Sequence, residues 1–205
     1  PGNVGNKLKN ITMKKIIYLA LFAIGLSVHA QYDLPKQAIE IAPLLIGEKI
    51  PNVTLKSVDN TDVDLTELIS KKRTVLVFYR GGWCPYCNAH LAALVEAEKE
   101  LLVLGYQIIA ISPDAPANLK VTDDKEKLNY LLLSDSTGKL SKSVGIAFQA
   151  PENYKATITK GSDGMNTCFL PVPAVFILNV NAEIEFEHIA PNFKNRISND
   201  LLIAV

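Results

Sequence analysis

Two patterns alternate along most of this chain: continuous apolar runs, and segments in which apolar residues recur at helical spacing. Residues 74–79 (Thr-Val-Leu-Val-Phe-Tyr) are almost uninterrupted by polar side chains, which predicts a central strand buried on both faces. From 84 to 104, leucines recur at helical spacing while charged residues take the opposite side. This pattern predicts a long helix that ends at Gly105, a residue suited to a helix C-terminus. Residues 107–111 predict a second buried strand.

Shorter patterns complete the predicted fold. The further predicted elements are a hairpin over 50–58 with its turn at 59–60, a helix ending near 127, strands at 130–133, 174–178 and 183–188, a long loop over 149–172, and a closing helix that carries Phe193, Ile197 and Leu201 four residues apart. Strands that alternate with helices in this way indicate an α/β fold with a mixed central sheet flanked by helices and an N-terminal β-hairpin. No linker divides the sequence, so we expect one domain.

The first 30 residues differ from the rest in charge. They hold four lysines and no acidic residue, whereas the remainder has 17 basic and 21 acidic residues. Met13 is followed by two lysines, an apolar run over 16–28 and a small-x-small site ending at Ala30, which is typical of a secretory signal peptide. An N-terminal membrane anchor is the alternative.

These features divide the chain into four parts. We expect a tag or upstream extension over 1–12, a signal peptide over 13–30, an N-terminal segment over 31–46 and the folded domain over 47–205. The mature protein is predicted to start at about Gln31 and to be exported to a periplasmic or other extracytoplasmic location.

Composition narrows the function classes. The 205 residues are 48% hydrophobic and 20% charged with zero formal net charge, as in an ordinary globular protein. This balance gives no case for nucleic-acid binding. The sequence contains neither a dinucleotide-binding Gly-x-Gly-x-x-Gly pattern nor a phosphate-binding loop, so we predict no organic cofactor.

The strongest candidate chemistry lies between the central strand and the long helix. Three cysteines are present, Cys84, Cys87 and Cys168, too few for a disulfide scaffold. Cys84 follows the Gly81-Gly82 turn at the predicted helix start, where free backbone N–H groups and the helix dipole stabilise a thiolate. Cys87 lies nearly one turn further on, so we expect Cys84 to attack and Cys87 to resolve.

Other interpretations of a Cys-x-x-Cys pair stay open. The pair is half of a zinc site if Cys168, His90 or His188 supplies further ligands, although no second spaced pair is present and we predict no metal site. A copper carrier and a purely structural disulfide are the remaining alternatives. A structural disulfide requires neither a strand–glycine–helix junction nor an adjacent aromatic residue, so the position favours redox chemistry.

The wider pattern resembles a known family. The residues that carry the resemblance are Phe78-Tyr79-Arg80-Gly81-Gly82-Trp83-Cys84-Pro85-Tyr86-Cys87, Ile109-Ala110-Ile111-Ser112-Pro113 and Leu170-Pro171-Val172-Pro173-Ala174. From about Gly47 to the C-terminus the chain is similar to the peroxiredoxin-like branch of the alkyl hydroperoxide reductase/thiol-specific antioxidant (AhpC/TSA) family, in the thioredoxin superfamily. The resemblance implies a thioredoxin-like fold, an antioxidant thiol redox activity and a thioredoxin-like dithiol protein as reductant.

The resemblance also assigns residues around the pair. Val172-Pro173 occupies the place of the cis-proline that shapes the substrate groove in thioredoxin-like folds; an ordinary loop proline is the alternative. Trp83 and Tyr86 are expected to form the lip that docks a partner. Cys168 is either a second resolving thiol or a small buried hydrophobic residue, the second being favoured.

Two departures from the family pattern concern the environment of the thiolate. Gly81 stands where peroxiredoxins typically have Thr or Ser, and after the motif the only arginine is Arg196, expected in the last helix. Arg80 is close enough in sequence to supply charge, or else is a solvated or structural residue. His90 and His188 are expected at the surface.

Three functions follow from these observations. The first is a peroxidase that forms a sulfenic acid on Cys84, and the second is a thiol–disulfide oxidoreductase acting on protein disulfides. The family resemblance favours the peroxidase, whereas the missing hydroxyl at Gly81 and the lack of the family's distant arginine near the thiolate favour disulfide exchange. A non-catalytic copper or zinc carrier is the third.

Overall fold

The computed structural model describes residues 33–205, and Leu34–Val205 form one compact unit. The predicted extension and signal peptide lie outside the described residues. The strands are β1 (Thr54–Ser57), β2 (Asp62–Asp64), β3 (Arg73–Phe78), β4 (Tyr106–Ser112), β5 (Leu131–Ser134), β6 (Ala147–Gln149), β7 (Phe169–Pro171), β8 (Ala174–Leu178) and β9 (Ile184–Ile189). The α-helices are α1 (Leu65–Ile69), α2 (Pro85–Val103), α3 (Pro116–Glu126), α4 (Lys139–Ser143), α5 (Lys155–Gly161) and α6 (Asn199–Ala204).

A seven-stranded mixed sheet organises the fold. Its strand order is β2-β1-β5-β4-β3-β8-β9, while β6 and β7 form a separate antiparallel pair. The central strand β3 is parallel to β4 and antiparallel to β8. Because β3 and β4 are parallel, their C-terminal ends lie at the same edge, and the segments that follow these two strands meet there.

Each face of the sheet is covered by a hydrophobic cluster. Leu76 and Phe78 of β3 belong to one cluster, with α1 and α4. Val75 and Val77 belong to the other, with Leu91 and neighbouring side chains of α2. All four β3 side chains are at most 1% exposed, which confirms the prediction of a strand buried on both faces.

Most of the predicted elements are confirmed. The α/β class, the mixed sheet, the N-terminal hairpin, the long helix and the strands near 107–111, 130–133, 174–178 and 183–188 are all present. Gly105 follows the end of α2 with φ +87°, and its N–H donates to the carbonyl of Leu102. No helix within residues 33–205 has both the length and the apolar character needed to cross a bilayer.

The predicted loop over 149–172 is wrong. It contains a 3-10 turn at Glu152–Tyr154, helix α5 and strand β7. The two threonines and terminal glycine of α5 (Lys-Ala-Thr-Ile-Thr-Lys-Gly) weaken its helical signal, and a three-residue strand is too short to show an alternation. Helices α1 and α4 are likewise too short to be predicted from a periodic pattern.

The closing helix is shorter than predicted. It begins only after Ser198, whose side chain accepts a hydrogen bond from the N–H of Leu201 at 3.2 Å. The Asn192 side chain accepts from the N–H of Lys194 at 3.2 Å and holds the preceding chain in a turn. Phe193, Arg196 and Ile197 therefore lie before the helix. The four-residue spacing of Phe193, Ile197 and Leu201 does not mark one face of a single helix.

Candidate active site

The turn between β3 and α2 carries the cysteine pair. Gly81 has φ +139°, a backbone conformation that favours glycine. The N–H of Gly82 donates to Asp114 Oδ2 at 2.7 Å, and Asn88 Nδ2 donates to the Gly82 carbonyl at 2.9 Å. Asp114 follows β4, so the turn is fastened to the neighbouring strand end and to the helix that it precedes.

Cys84 is the N-cap residue of α2, and Pro85 is the first helical residue, as predicted. The Cys84 carbonyl accepts hydrogen bonds from the N–H groups of Cys87 and Asn88 at 3.0 and 3.1 Å. Both cysteines are free thiols with side chains at most 1% exposed. The pair therefore lies beneath the surface at the N-terminus of the helix.

The pKa values of the two thiols are shifted in opposite directions. A hydrogen bond from the Cys87 thiol, the Cys87 backbone N–H and the charges of Arg80 and Arg196 lower the pKa of Cys84 to about 6, against the opposing effect of burial. The hydrogen bond to Cys84, burial and the Cys84 charge raise the pKa of Cys87 well above its ordinary value. One proton thus stays on Cys87 while Cys84 ionises.

Arg196 lies beside the pair although it is distant in sequence. Its Nη2 is 3.5 Å from Cys87 Sγ. The Nη1 group donates to the carbonyls of Phe193 and Asn195, the latter at 2.6 Å, so the turn before α6 aims the guanidinium. The expected position of Arg196 in the last helix is wrong. Arg196 lies in the non-helical segment before α6, and this segment brings its charge to the cysteines.

Arg80 is a buried cation, so of the two interpretations given above a solvated side chain is excluded and a supply of charge near the cysteines is retained. The residue is 4% exposed. Its guanidinium carbon lies 4.9, 4.4 and 4.2 Å from the ring centroids of Trp83, Tyr154 and Phe193. Aromatic faces attract a guanidinium by cation–π interaction, so these three rings hold the Arg80 charge near the cysteine turn.

The space around Gly81 explains the departure from the family pattern. A Cβ atom on Gly81 would lie 2.4 Å from Trp83 Nε1 and 2.9 Å from Asp114 Oδ1. The Trp83 ring therefore occupies the space that a Thr or Ser side chain would need at this position. Burial raises the pKa of Asp114 to about 6, against the hydrogen bonds from the Gly82 N–H and the Ser112 side chain.

Asp114 is a site residue that the sequence analysis missed. A signal was present, because Ser112-Pro113-Asp114 ends a buried strand predicted next to the one that leads into the cysteine motif.

Trp83 and Tyr86 differ in how far their rings are exposed. Trp83 is half-buried and packs at a tilt on Tyr154, with ring centroids 5.4 Å apart. Tyr86 is 44% exposed and packs edge-on against Phe193 at 5.7 Å. Of the two, only Tyr86 presents much of its ring at the surface.

A cavity of about 200 Å³ lies next to Arg80. Its lining side chains are Ala38, Arg80, Phe148, Pro151, Tyr154, Pro171, Val172, Pro173, Pro191 and Phe193. Val172 and Pro173 thus face the same region as the Arg80 end of the cysteine turn. The expected cis peptide bond is wrong, because the Val172–Pro173 bond is trans, the isomer that X-Pro bonds ordinarily prefer.

Cys168 is not a small buried hydrophobic residue, because its side chain is exposed. Its backbone N–H donates to Asn166 Oδ1 at 3.1 Å, and its carbonyl accepts from the N–H of Ala150 at 2.8 Å. These contacts lie next to the antiparallel strand pair β6–β7. Among the described residues, none of the hydrogen bonds of Cys168 reaches Cys84 or Cys87.

The two histidines face the interior near Arg196, contrary to the expectation of surface positions. His90 is 7% exposed, and burial followed by the charges of Arg196 and His188 lowers its pKa to about 4. His188 is half-buried, and burial likewise lowers its pKa. Within residues 33–205, no group of three or more His, Cys, Asp or Glu side chains is arranged to hold a metal ion.

A buried dithiol at a strand–helix junction, with one acidic thiol and one that stays protonated, defines a thiol-dependent oxidoreductase. The mixed sheet and the helix that begins at the first cysteine give it the thioredoxin-like architecture.

Comparison with known proteins identifies the family. A sequence model of the AhpC/TSA family matches residues 46–187, and the chain belongs to this family. Peroxiredoxin Bcp of Escherichia coli K12 is 27% identical over 161 residues, which cover 78% of this chain and 94% of that protein. The chloroplastic peroxiredoxin Q of Gentiana triflora is 33% identical over 100 residues, 49% of this chain and 46% of that protein.

Solved structures show the same fold. Reduced Prx3 of Vibrio vulnificus in complex with hydrogen peroxide has a TM-score of 0.66 and 18% identity, and the match covers 78% of this chain and 97% of that one. The thioredoxin-like fold expected from the resemblance is thereby confirmed.

Proposed function

We propose that this protein is a peroxiredoxin-type thiol peroxidase in which Cys84 is the peroxidatic residue and Cys87 the resolving residue. The observation that carries the proposal is that the pKa values of the two thiols shift in opposite directions: the pKa of Cys84 is lowered to about 6 and that of Cys87 is raised. A thiolate is the nucleophile that attacks a peroxide. The names of the relatives, peroxiredoxin Bcp and peroxiredoxin Q, support this choice of oxidant.

The reaction balances in three steps. The Cys84 thiolate attacks one peroxide oxygen, the O–O bond breaks, and Cys84 becomes a sulfenic acid while the departing alkoxide or hydroxide takes a proton. The Cys87 thiol then condenses with the sulfenic acid, which forms the Cys84–Cys87 disulfide and releases water. A dithiol protein reduces this disulfide and becomes oxidised itself.

Trapping of the sulfenic acid tests the assignment. In a Cys87→Ser variant the intermediate has no intramolecular partner, so dilute hydrogen peroxide followed by dimedone should place one adduct on Cys84, detected by peptide mass spectrometry. Cys168 is exposed, so all variants carry Cys168→Ser to remove its own adduct. Cys84→Ser is the control that should stay unlabelled. Absence of the adduct on Cys84 would contradict the proposal.

A thiol–disulfide oxidoreductase acting on protein disulfides is the second candidate. The occupied space at Gly81, which leaves no room for a hydroxyl residue, and the exposed ring of Tyr86 beside the pair both favour it. Reduction of insulin disulfides by the dithiol form, compared with thioredoxin under the same conditions, distinguishes this function. Fast insulin reduction together with no dimedone adduct would replace the first proposal with this one.

We also propose that the protein acts outside the cytoplasm. The basic start, the apolar run over 16–28 and the small residues before Gln31 support this location. N-terminal sequencing of the protein from fractionated native cells should find a chain that starts at about Gln31 in the extracytoplasmic fraction. A cytoplasmic chain that retains residues 13–30 would contradict it.

A further inference from the structure

Arg80 is a buried charge with no carboxylate partner. It is 4% exposed, and within residues 33–205 no carboxylate forms a salt bridge with it. The segment before Asp33 contains no Asp or Glu in its sequence. An unpaired buried charge is costly, and three aromatic rings offset only part of that cost. Apart from the Cys84 thiolate, which its charge favours, Arg80 thus has no anionic partner among the described residues.

The cavity beside Arg80 shows what kind of anion fits. Apart from Arg80, its lining side chains are all aromatic, proline, valine or alanine. A volume of about 200 Å³ has room for several non-hydrogen atoms beyond a carboxylate. Burying an apolar body against such side chains is favourable in free energy, whereas burying a hydrated inorganic ion there is not.

We propose that this cavity is a binding site for a small organic acid, whose carboxylate pairs with Arg80 and whose apolar body lies against Phe148, Tyr154 and Phe193. A guanidinium and a carboxylate match in charge and in planar hydrogen-bonding geometry. The inference concerns binding alone and stands whether or not the protein reduces peroxides.

Binding at this site should be linked to the redox state of the cysteine pair. Arg80 lies close enough to Cys84 for its charge to favour the thiolate. A carboxylate on Arg80 would compete with the Cys84 thiolate for the same positive charge. By linkage, the disulfide form, which has no thiolate, should bind the acid more tightly than the reduced form at neutral pH.

A matched pair of ligands tests the proposal. Phenylacetate and phenylacetamide have nearly the same shape, but only phenylacetate is charged. Trp83 is the only tryptophan and packs on Tyr154, a cavity residue, so its fluorescence reports occupancy. In the full chain with the pair oxidised, phenylacetate should bind about tenfold or more tightly than phenylacetamide. The preference should be smaller in the reduced protein.

Variants assign the preference to Arg80. Arg80→Gln should abolish the preference and Arg80→Lys should retain it. Arg73→Gln is the matched control: Arg73 also lies over a ring, that of Tyr106 at 4.5 Å, but it pairs with Glu185 at 2.6 Å. Lack of phenylacetate binding, equal binding of acid and amide, or inorganic phosphate binding as tightly as phenylacetate would each overturn the proposal. The wild-type ligand comparison decides even if Arg80→Gln fails to fold.

Discussion

Two arginines from distant parts of the chain supply positive charge to one cysteine pair. Arg80 precedes the motif and is fixed by aromatic rings, whereas Arg196 comes from the turn before α6 and approaches Cys87 Sγ. Both charges lower the pKa of Cys84, although the hydrogen bond from Cys87 is the larger cause. The reactive state therefore depends on the C-terminal segment as well as on the motif.

Arg196→Gln should move the pH profile of the peroxide reaction. The wild-type rate should rise with pH through about 6, the pKa of Cys84. Without Arg196 the pKa rises, so the rate at pH 6 should fall by about twofold and should recover at pH 8, where both proteins are ionised. Stopped-flow rates across this pH range measure the effect. Arg73→Gln should leave the profile unchanged, and an unshifted profile for Arg196→Gln would contradict this role.

The close packing at Gly81 makes substitution of this glycine costly. Gly81→Ala should lower the free energy of unfolding by about 3 kcal/mol, because a Cβ atom meets Trp83 in addition to an unfavourable φ. Gly105→Ala is the matched control: its φ is +87° but nothing lies within 4 Å of the added carbon. It should cost only about 1–2 kcal/mol. Urea unfolding of both variants checks the difference, and equal losses would show that the overlap is relieved without cost.

Among the elements, β3 and α2 were predictable because their signals are local. A continuous apolar run, two glycines and a proline at the first helical position stand next to each other in the sequence. His90 could also have been placed correctly, since Cys87, Leu91 and Leu94 mark the buried stripe of α2 on which it lies. The contact between Arg196 and Cys87 could not, because it spans 109 positions and depends on an irregular turn.

The strand pair β6–β7 and helix α5 show how short elements are held without a periodic pattern. Asn166 is 1% exposed, and its side chain donates to the Phe169 carbonyl and accepts from the N–H groups of Cys168 and Phe169. One buried side chain thus satisfies three backbone groups. A sequence pattern contains no signal for such a connection.

Asn166→Ala should lower the free energy of unfolding by about 3 kcal/mol, since three backbone groups lose their partner. Chemical denaturation measures the loss. Asn129→Ala is the control, because Asn129 is exposed, and it should change stability little. A loss below about 1 kcal/mol for Asn166→Ala would show that water replaces these hydrogen bonds.

For the whole molecule, buried His90 couples stability to pH. Burial, Arg196 and His188 lower its pKa from 6.5 to about 4 in the folded protein. The unfolded chain therefore binds a proton that the folded protein does not, and stability falls as the pH drops from 6.5 to 4. A shift of this size corresponds to about 3 kcal/mol.

His90→Phe should remove this part of the pH dependence. The free energy of unfolding of the variant, measured with urea between pH 4 and 7, should fall less on acidification than that of the wild type. Asp114, with its raised pKa, acts in the opposite direction in both proteins, so their difference isolates His90. Parallel pH curves for the two proteins would contradict the assignment.

The most direct test of peroxidase function is the rate at which reduced protein reacts with dilute hydrogen peroxide. Trp83, the only tryptophan, adjoins Cys84 and reports the reaction by stopped-flow fluorescence, with free cysteine as the rate reference and Cys84→Ser as the control. A peroxidase should give a fluorescence change orders of magnitude faster than oxidation of free cysteine, and Cys84→Ser should give none. A rate near that of free cysteine would contradict a peroxidase and leave disulfide exchange as the function of the pair.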